Sequence, residues 1–228
     1  MAWIYIIKDL DFSPLWISLK AGVIATFFCF FAGILCAWYV MKKPGKISAL
    51  LDAVMTLPMV LPPTVAGFFL LLLFSKRRPL GRFLFENFSI KIVQTFAGCV
   101  VAAFVIAFPL MYKNAKASFE QVDENLIYAA RTLGMSERKI LWKVILPNAF
   151  PGVISGTVLT FARAIGEYGA TSMLAGNIAG KTGTISQKIA MVLQNGDYTT
   201  AGIWVAIILG ISLVILLLIN IVGWKTKK

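Results

Sequence analysis

The sequence predicts an all-α integral membrane protein with about five transmembrane helices, and three observations carry that prediction. Hydrophobic residues make up 59% of the 228 and the mean hydropathy is +0.82, both above the range of soluble domains. Five apolar runs, 15–41, 49–74, 92–112, 149–174 and 201–224, each reach the roughly 20 residues that a helical crossing needs. Most of the charge falls between those runs. No sizeable soluble domain fits beside five crossings, so residues 1–228 are read as a single transmembrane domain.

Composition also excludes several kinds of chemistry. Cys29, Cys36 and Cys99 lie inside apolar runs, where a free thiol behaves as a small hydrophobe. Their odd number and spacing form neither a disulfide framework nor a metal site. The chain has no His, the commonest general base and metal ligand, so an enzymatic role is disfavoured. No metal or catalytic residue is expected. A formal charge of +12 would suggest nucleic acid in a soluble protein, but in a membrane protein it reports how charge divides across the bilayer. No nucleic acid partner is expected. Lys8, Asp9 and Asp11 precede the first run and no small-residue site ends a short one, so no cleaved signal peptide is expected.

Taken in order, the first run is followed at once by Lys42, Lys43 and Lys46. The second, LPMVLPPTVAGF at its centre, holds Pro58, Pro62 and Pro63 followed by Thr64. Each proline removes a donor and crowds the preceding turn, so a straight helix is not expected. Non-helical backbone at membrane depth is tolerated only beside protein or a water-filled path. The span is therefore either a kinked packing helix or part of a pathway. The connection 75–91 carries KRRPLGR, and its Lys76, Arg77, Arg78 and Arg82 either draw an anion or meet an acidic partner surface.

After the third run comes 113–147, the longest charged stretch between spans. Asp123 is placed to cap a helix over Leu126, Ala129, Ala130 and Leu133, with Gly134 closing it in a left-handed conformation. Ser136 is placed to cap a second helix carrying Ile140, Trp142, Val144 and Ile145, which Pro147 is expected to stop. The fourth run contains FARAIGEYGAT. Arg163 and Glu167, four apart, share one helical face at a depth where ionisable groups are paired or functional. They are read first as a structural ion pair, and second as part of a pathway. Gly166 and Gly169 permit another helix to approach closely.

The segment 175–200 contains GNIAGKT, which has three residues between its glycines where a phosphate loop needs four. It is not a nucleotide site. Residues 185–193 are expected to form a sixth, interfacial helix. The last run leads into Lys225, Lys227 and Lys228. Five crossings place the termini on opposite sides. The first loop, 113–147 and the C-terminus carry three, six and three Lys and Arg, against eight on the other side. That bias places 113–147 and the C-terminus in the cytoplasm and the N-terminus outside, in a multi-pass protein of the cell membrane.

Tyr128-Ala129-Ala130, three residues, Gly134, nine residues, Val144, one residue and Leu146-Pro147 resembles the cytoplasmic signature of ABC importer permeases. Tyr128 stands where that pattern has Glu, and Val144 where it has Ile. SPLWISLKAG, LPMVLPPTVAGF, AARTLG, ILPNAFPG and FARAIGEYGAT extend the likeness to permeases for molybdate, tungstate and sulfate over nearly the whole chain. The resemblance implies a type I ABC importer permease fold, with Tyr128, Ala129, Ala130, Leu133, Gly134, Val144, Leu146 and Pro147 coupling it to an ATPase. It implies a translocation pathway or gate at Pro58, Pro62, Pro63, Thr64, Gly166, Glu167, Gly169 and Thr171. Docking of a binding protein is expected at Lys76, Arg77, Arg78 and Arg82. The implied assembly is a homodimer of this chain in membrane lipid, two cytoplasmic ABC ATPase subunits that bind ATP and Mg, and an extracellular oxyanion-binding protein. No cofactor is expected in the chain itself. The implied cargo is molybdate or tungstate, with sulfate as the alternative. A secondary transporter without an ATPase usually shows repeated halves, and none is visible.

Overall fold

The computed structural model describes residues 10–225, with side chains as far as 217. The expectations that rest on Lys8, Asp9, Lys227 and Lys228, or on the Lys225 side chain, lie outside that description. Among the described residues the helices are α1 (Ser13–Met41), α2 (Gly45–Val60), α3 (Pro63–Phe74), α4 (Pro79–Phe88), α5 (Phe96–Glu120), α6 (Glu124–Thr132), α7 (Glu137–Ile140), α8 (Leu146–Ile165), α9 (Gly169–Leu174), α10 (Ile185–Gln194) and α11 (Tyr198–Lys225).

Four helical stretches are long and apolar enough to cross a membrane: Ser13–Met41, Phe96–Glu120, Glu137–Ile165 and Tyr198–Leu217. A fifth apolar stretch is split into α2 and α3, which meet at 107°, the geometry of a broken span or a re-entrant pair. This break is what the prolines dictate. Leu61 leaves the helix in extended backbone before Pro62, and Pro63 opens α3 at its first turn, where a missing N–H costs nothing. Pro58 sits inside α2 without ending it.

The core is built from α1, α5 and α8. Ala25, Ala37, Ala103, Ala107 and Ala115 are buried between α1 and α5, and these short side chains let the backbones approach closely. Tyr112 and Phe119 fill the wider space towards the 113–147 end. A Cβ on Gly33 would fall 2.7 Å from Met111 Cγ, so the α1–α5 contact depends on its absence. α10 joins α1 where the Ile185 N–H donates to Ser18 Oγ (2.9 Å).

Two ion-pair clusters hold the first loop and the 113–147 segment at one end of the molecule. Asp52 of α2 accepts hydrogen bonds from Tyr112 (2.8 Å), Lys113 (2.6 Å) and Lys116 (2.9 Å) of α5. Lys42, just past α1, pairs with Glu137 at 2.7 Å.

The structure departs from the sequence expectations at four boundaries. The fourth run, read as a single span over 149–174, ends at Ile165, and Gly169–Leu174 is a separate short helix. The third span is displaced towards the 113–147 end, running Phe96–Glu120 rather than 92–112, because Lys113, Lys116 and Glu120 continue the helix with their charges at its polar end. Pro147 does not stop a helix. The chain winds through a wide turn over Leu141–Ile145, in which the Leu146 N–H reaches back five residues to Leu141, and Pro147 then lies in the first turn of α8. The wide turn accommodates the proline ring that a regular helix would crowd. The charged connection 75–91 contains a helix, α4, entered through Pro79 at its first position.

Candidate functional site

At mid-molecule two helix breaks meet. The break between α2 and α3 lies against the break between α8 and α9. A Cβ on Gly169 would come within 3.0 Å of Pro63 Cβ and 3.1 Å of the Thr64 nitrogen, and one on Gly67 within 2.6 Å of Ala170 Cα. Pro63, Thr64, Gly169 and Thr171 are thus brought to one junction. Thr171 and Gly169 are buried there, whereas Pro62, Thr64 and Gly166 stay exposed. Pro58 lies on α2, before the break.

Glu167 sits in the second break with its side chain 2% exposed. One carboxylate oxygen accepts the Ala170 N–H at 2.8 Å, satisfying a free donor at the start of α9. The other meets Arg163 Nη1 at 2.8 Å. The Arg163 side chain is 37% exposed. The pair therefore spans from the last turn of α8 into the break and organises α9 against α3.

The 123–147 segment folds as the sequence expects at its first helix. Asp123 accepts the Asn125 N–H at 2.9 Å and caps α6. Gly134 adopts φ +73°, and the Gly134 and Met135 N–H groups close the helix onto Arg131 and Ala130 carbonyls. Only glycine takes that backbone conformation without strain. Ser136 begins the second helix without a side-chain cap.

The faces of α6 divide unequally. Ala130 is buried in the core cluster, while Leu126, Tyr128, Ala129, Leu133 and Gly134 form an exposed outer face. Leu133 is 81% exposed, which no internal packing explains. Val144 and Leu146 are half-buried at the base of α8, and Pro147 is exposed.

Glu137 binds the segment together in a way the sequence reading missed. Its two oxygens take Arg131 of α6 (2.9 Å) and Lys42 (2.7 Å), and Lys42 lies 3.8 Å over the Trp38 ring of α1. The hydrogen bond to Glu137 raises the Arg131 pKa above its already high ordinary value, so its charge is permanent. All three partners are substantially exposed, so solvent screens the pairs and they add little stability. They fix geometry more than they stabilise. Behind them lies a cavity of about 200 Å³ between α1 and α6.

Asp52 was missed too, although it is the one charged residue in the apolar run 49–74. An isolated carboxylate in a span calls for partners, and that signal was readable. The basic residues gather beside α4. Lys76 lies 3.1 Å over the Phe85 ring, Arg82 is 3.8 Å from Glu86, and Arg77 and Arg78 are exposed.

Residues 30–227 match the family described as binding-protein-dependent transport system inner membrane component. The chain belongs to that family. It is similar to the molybdenum transport system permease protein ModB of Escherichia coli (strain K12), 40% identical over 191 residues, 83% of this chain and 82% of that one. The ModB of Haemophilus influenzae is 34% identical over 96% of this chain and 95% of its own. The sulfate transport system permease protein CysT of Salmonella typhimurium is 38% identical over 90% of this chain and 73% of its own.

Among solved structures, a chain of the MetNI methionine ABC transporter, in inward-facing conformations, superposes with a TM-score of 0.68 at 19% identity, covering 93% of this chain and 92% of that one. A chain of a bacterial ABC transporter involved in the import of the acidic polysaccharide alginate gives 0.78 at 15% identity, covering 100% and 84%. The fold is that of type I ABC importer permeases. The permease is a multi-pass membrane protein, and its broken span and paired breaks lie within the bundle those helices form.

Proposed function

We propose that this permease is the transmembrane subunit of an ATP-driven importer for a tetrahedral oxyanion, molybdate or tungstate. The observation that carries this reading is α6, a capped helix outside the spans that leaves Leu126, Tyr128, Ala129 and Leu133 uncovered. A face of that kind fits a groove on a separate ATPase, which binds ATP and Mg. The similarity to molybdenum transport permeases supplies the cargo.

In this reading α6 and α7 face the cytoplasm with the C-terminus, and the N-terminus lies outside. Two copies of the chain enclose the path. The unburied α2, with Leu50, Leu57 and Val60 exposed, is available for that contact or for lipid. Closure of the two ATPases moves α6, and Glu137 delivers the motion to α1 while the wide turn delivers it to α8. A binding protein outside releases the anion into the path.

The test is uptake into proteoliposomes containing this chain with its ATPase and binding protein. ATP-dependent accumulation of molybdate, competed by tungstate and far less by sulfate, is expected. The similarity to CysT makes sulfate the second reading, and preferential sulfate uptake would establish it instead. Uptake without ATP or an ATPase would place the chain among secondary transporters.

The basic residues beside α4 are assigned to docking of an acidic face of the binding protein. Rim charges act mainly on encounter rate and salt dependence, with a screening length of about 8 Å at physiological salt. Replacing Arg77, Arg78 and Arg82 with Gln is expected to weaken association with the binding protein, and raising its concentration should restore uptake. Added salt should then weaken the wild-type complex more than the substituted one. Equal salt sensitivity of the two removes the docking role.

A further inference from the structure

We propose that Arg163 is the transient counter-ion of the oxyanion inside the membrane, held in position from behind by Glu167. The inference rests on the importer reading and names a residue of this chain that touches the cargo.

Depth comes first. A Cβ on Gly152 would clash with Ser118 and one on Gly156 with Asn114, so α8 and α5 run antiparallel in close contact. Arg163 lies seven residues beyond Gly156, roughly 10 Å along the axis. From Asn114, α5 continues 18 residues to Phe96, roughly 27 Å. Arg163 is therefore about 16 Å short of that end of α5 and about 9 Å from the level of Lys113, where the charged end of the helix begins. A second register agrees. Ile165 is level with Gly22, whose Cβ would meet Ile165 Cγ1 at 2.9 Å, nine residues or roughly 13 Å into α1. Both place Arg163 inside the apolar part of the bundle, within a hydrocarbon layer about 30 Å thick.

At that depth a guanidinium that is 37% exposed is costly to turn towards lipid. Its open side is assigned to the path between the two copies of the chain. The nearby exposed groups fit this: the Gly166 backbone, Tyr168 and Thr64 all lie at the junction of the two helix breaks. Interrupted backbone of this kind is tolerated where it lines such a cavity.

The chemistry then selects the ligand. Both Glu167 oxygens are occupied, one by Ala170 N–H and one by Arg163 Nη1. Among the described residues, Nε and Nη2 of Arg163 hold no hydrogen bond. A planar fork with two free donors matches two oxygens of a tetrahedral anion. A twofold assembly supplies two such forks, one for each charge of a dianion. Because each Arg163 is already paired with Glu167, the site is neutral overall when empty. It holds an anion in passing without trapping it, as a path must.

Two experiments decide the matter. In proteoliposomes with ATPase and binding protein, Arg163→Lys keeps a cation for Glu167 and is expected to preserve the thermal midpoint and co-purification with the ATPase. Its uptake should fall tenfold or more, because the planar fork is lost. Wild-type uptake by Arg163→Lys overturns the proposal and leaves the importer reading intact. Absence of ATP-driven oxyanion uptake by the unaltered protein overturns the importer reading itself. Independently of any change at Arg163, Gly166→Cys in a Cys36→Ser background is expected to react with a membrane-impermeant sulfonated thiol reagent, more slowly when molybdate is present. No reaction from either side of the membrane would mean the face is dry and the proposal wrong.

Discussion

Ala129→Arg is expected to abolish uptake while leaving the permease folded and inserted. Ala129 is on the exposed face of α6, so the new side chain meets no internal neighbour. In the proposed assembly it stands where the ATPase groove closes on a small side chain. Contacts at the centre of an interface commonly cost at least about 2 kcal/mol when spoiled, a loss of roughly thirtyfold in affinity. Co-purification with the ATPase should fail while the thermal midpoint of the isolated permease stays at the wild-type value. The adjacent Ala130→Arg should behave differently. Ala130 is 5% exposed within the core cluster, so an arginine there disrupts packing before it can test docking. Full assembly and uptake with Arg at 129 would remove α6 as the coupling surface.

Glu167→Ala is expected to be the most destabilising single change near the two breaks. It removes a carboxylate that is 2% exposed, frees the Ala170 N–H and leaves Arg163 without its partner. Breaking a buried pair from one side costs on the order of 3–5 kcal/mol. Low expression and a lowered thermal midpoint in detergent should follow. Replacing both Arg163 and Glu167 with Met removes the unpaired charge and should recover much of the stability, though the Ala170 donor stays unsatisfied. Uptake should not return with it, because the cation that faces the path is gone. If Glu167→Ala folds as well as wild type, the break is held by other contacts, the close approach of Gly169 and Gly67 to their neighbours being the first to examine.

These two expectations draw differently on sequence and structure. Asp123, Gly134 and the apolar spacing between them set out α6 before any coordinates, because capping and left-handed closure are local and depend on a few neighbouring residues. The interruption of the second span was legible for the same reason, since proline acts on its own helical turn. Neither local rule could say which alanine of the pair faces out. That depends on α6 lying against α7 and the wide turn, and it separates Ala129 from Ala130.

Boundaries failed where a local signal met a tertiary answer. Pro147 reads as a helix stop, yet a wide turn at Leu141–Ile145 absorbs it and carries the helix into the membrane. Charge at 113–120 reads as the start of a loop, yet Lys113 and Lys116 stay helical to reach Asp52 some sixty residues away. The Glu137 link between Lys42 and Arg131 is equally non-local.

By itself the sequence determined the membrane class, the four to five apolar spans, the break at the prolines of the second run, the capped helix outside the bundle and the family, because these follow from composition, periodicity and short motifs. Only the tertiary structure decided that the two breaks meet and that Glu167 is buried while Arg163 is half open. The physical reason is that burial belongs to the packing of α1, α3, α5 and α8 together, and no window of sequence contains all four.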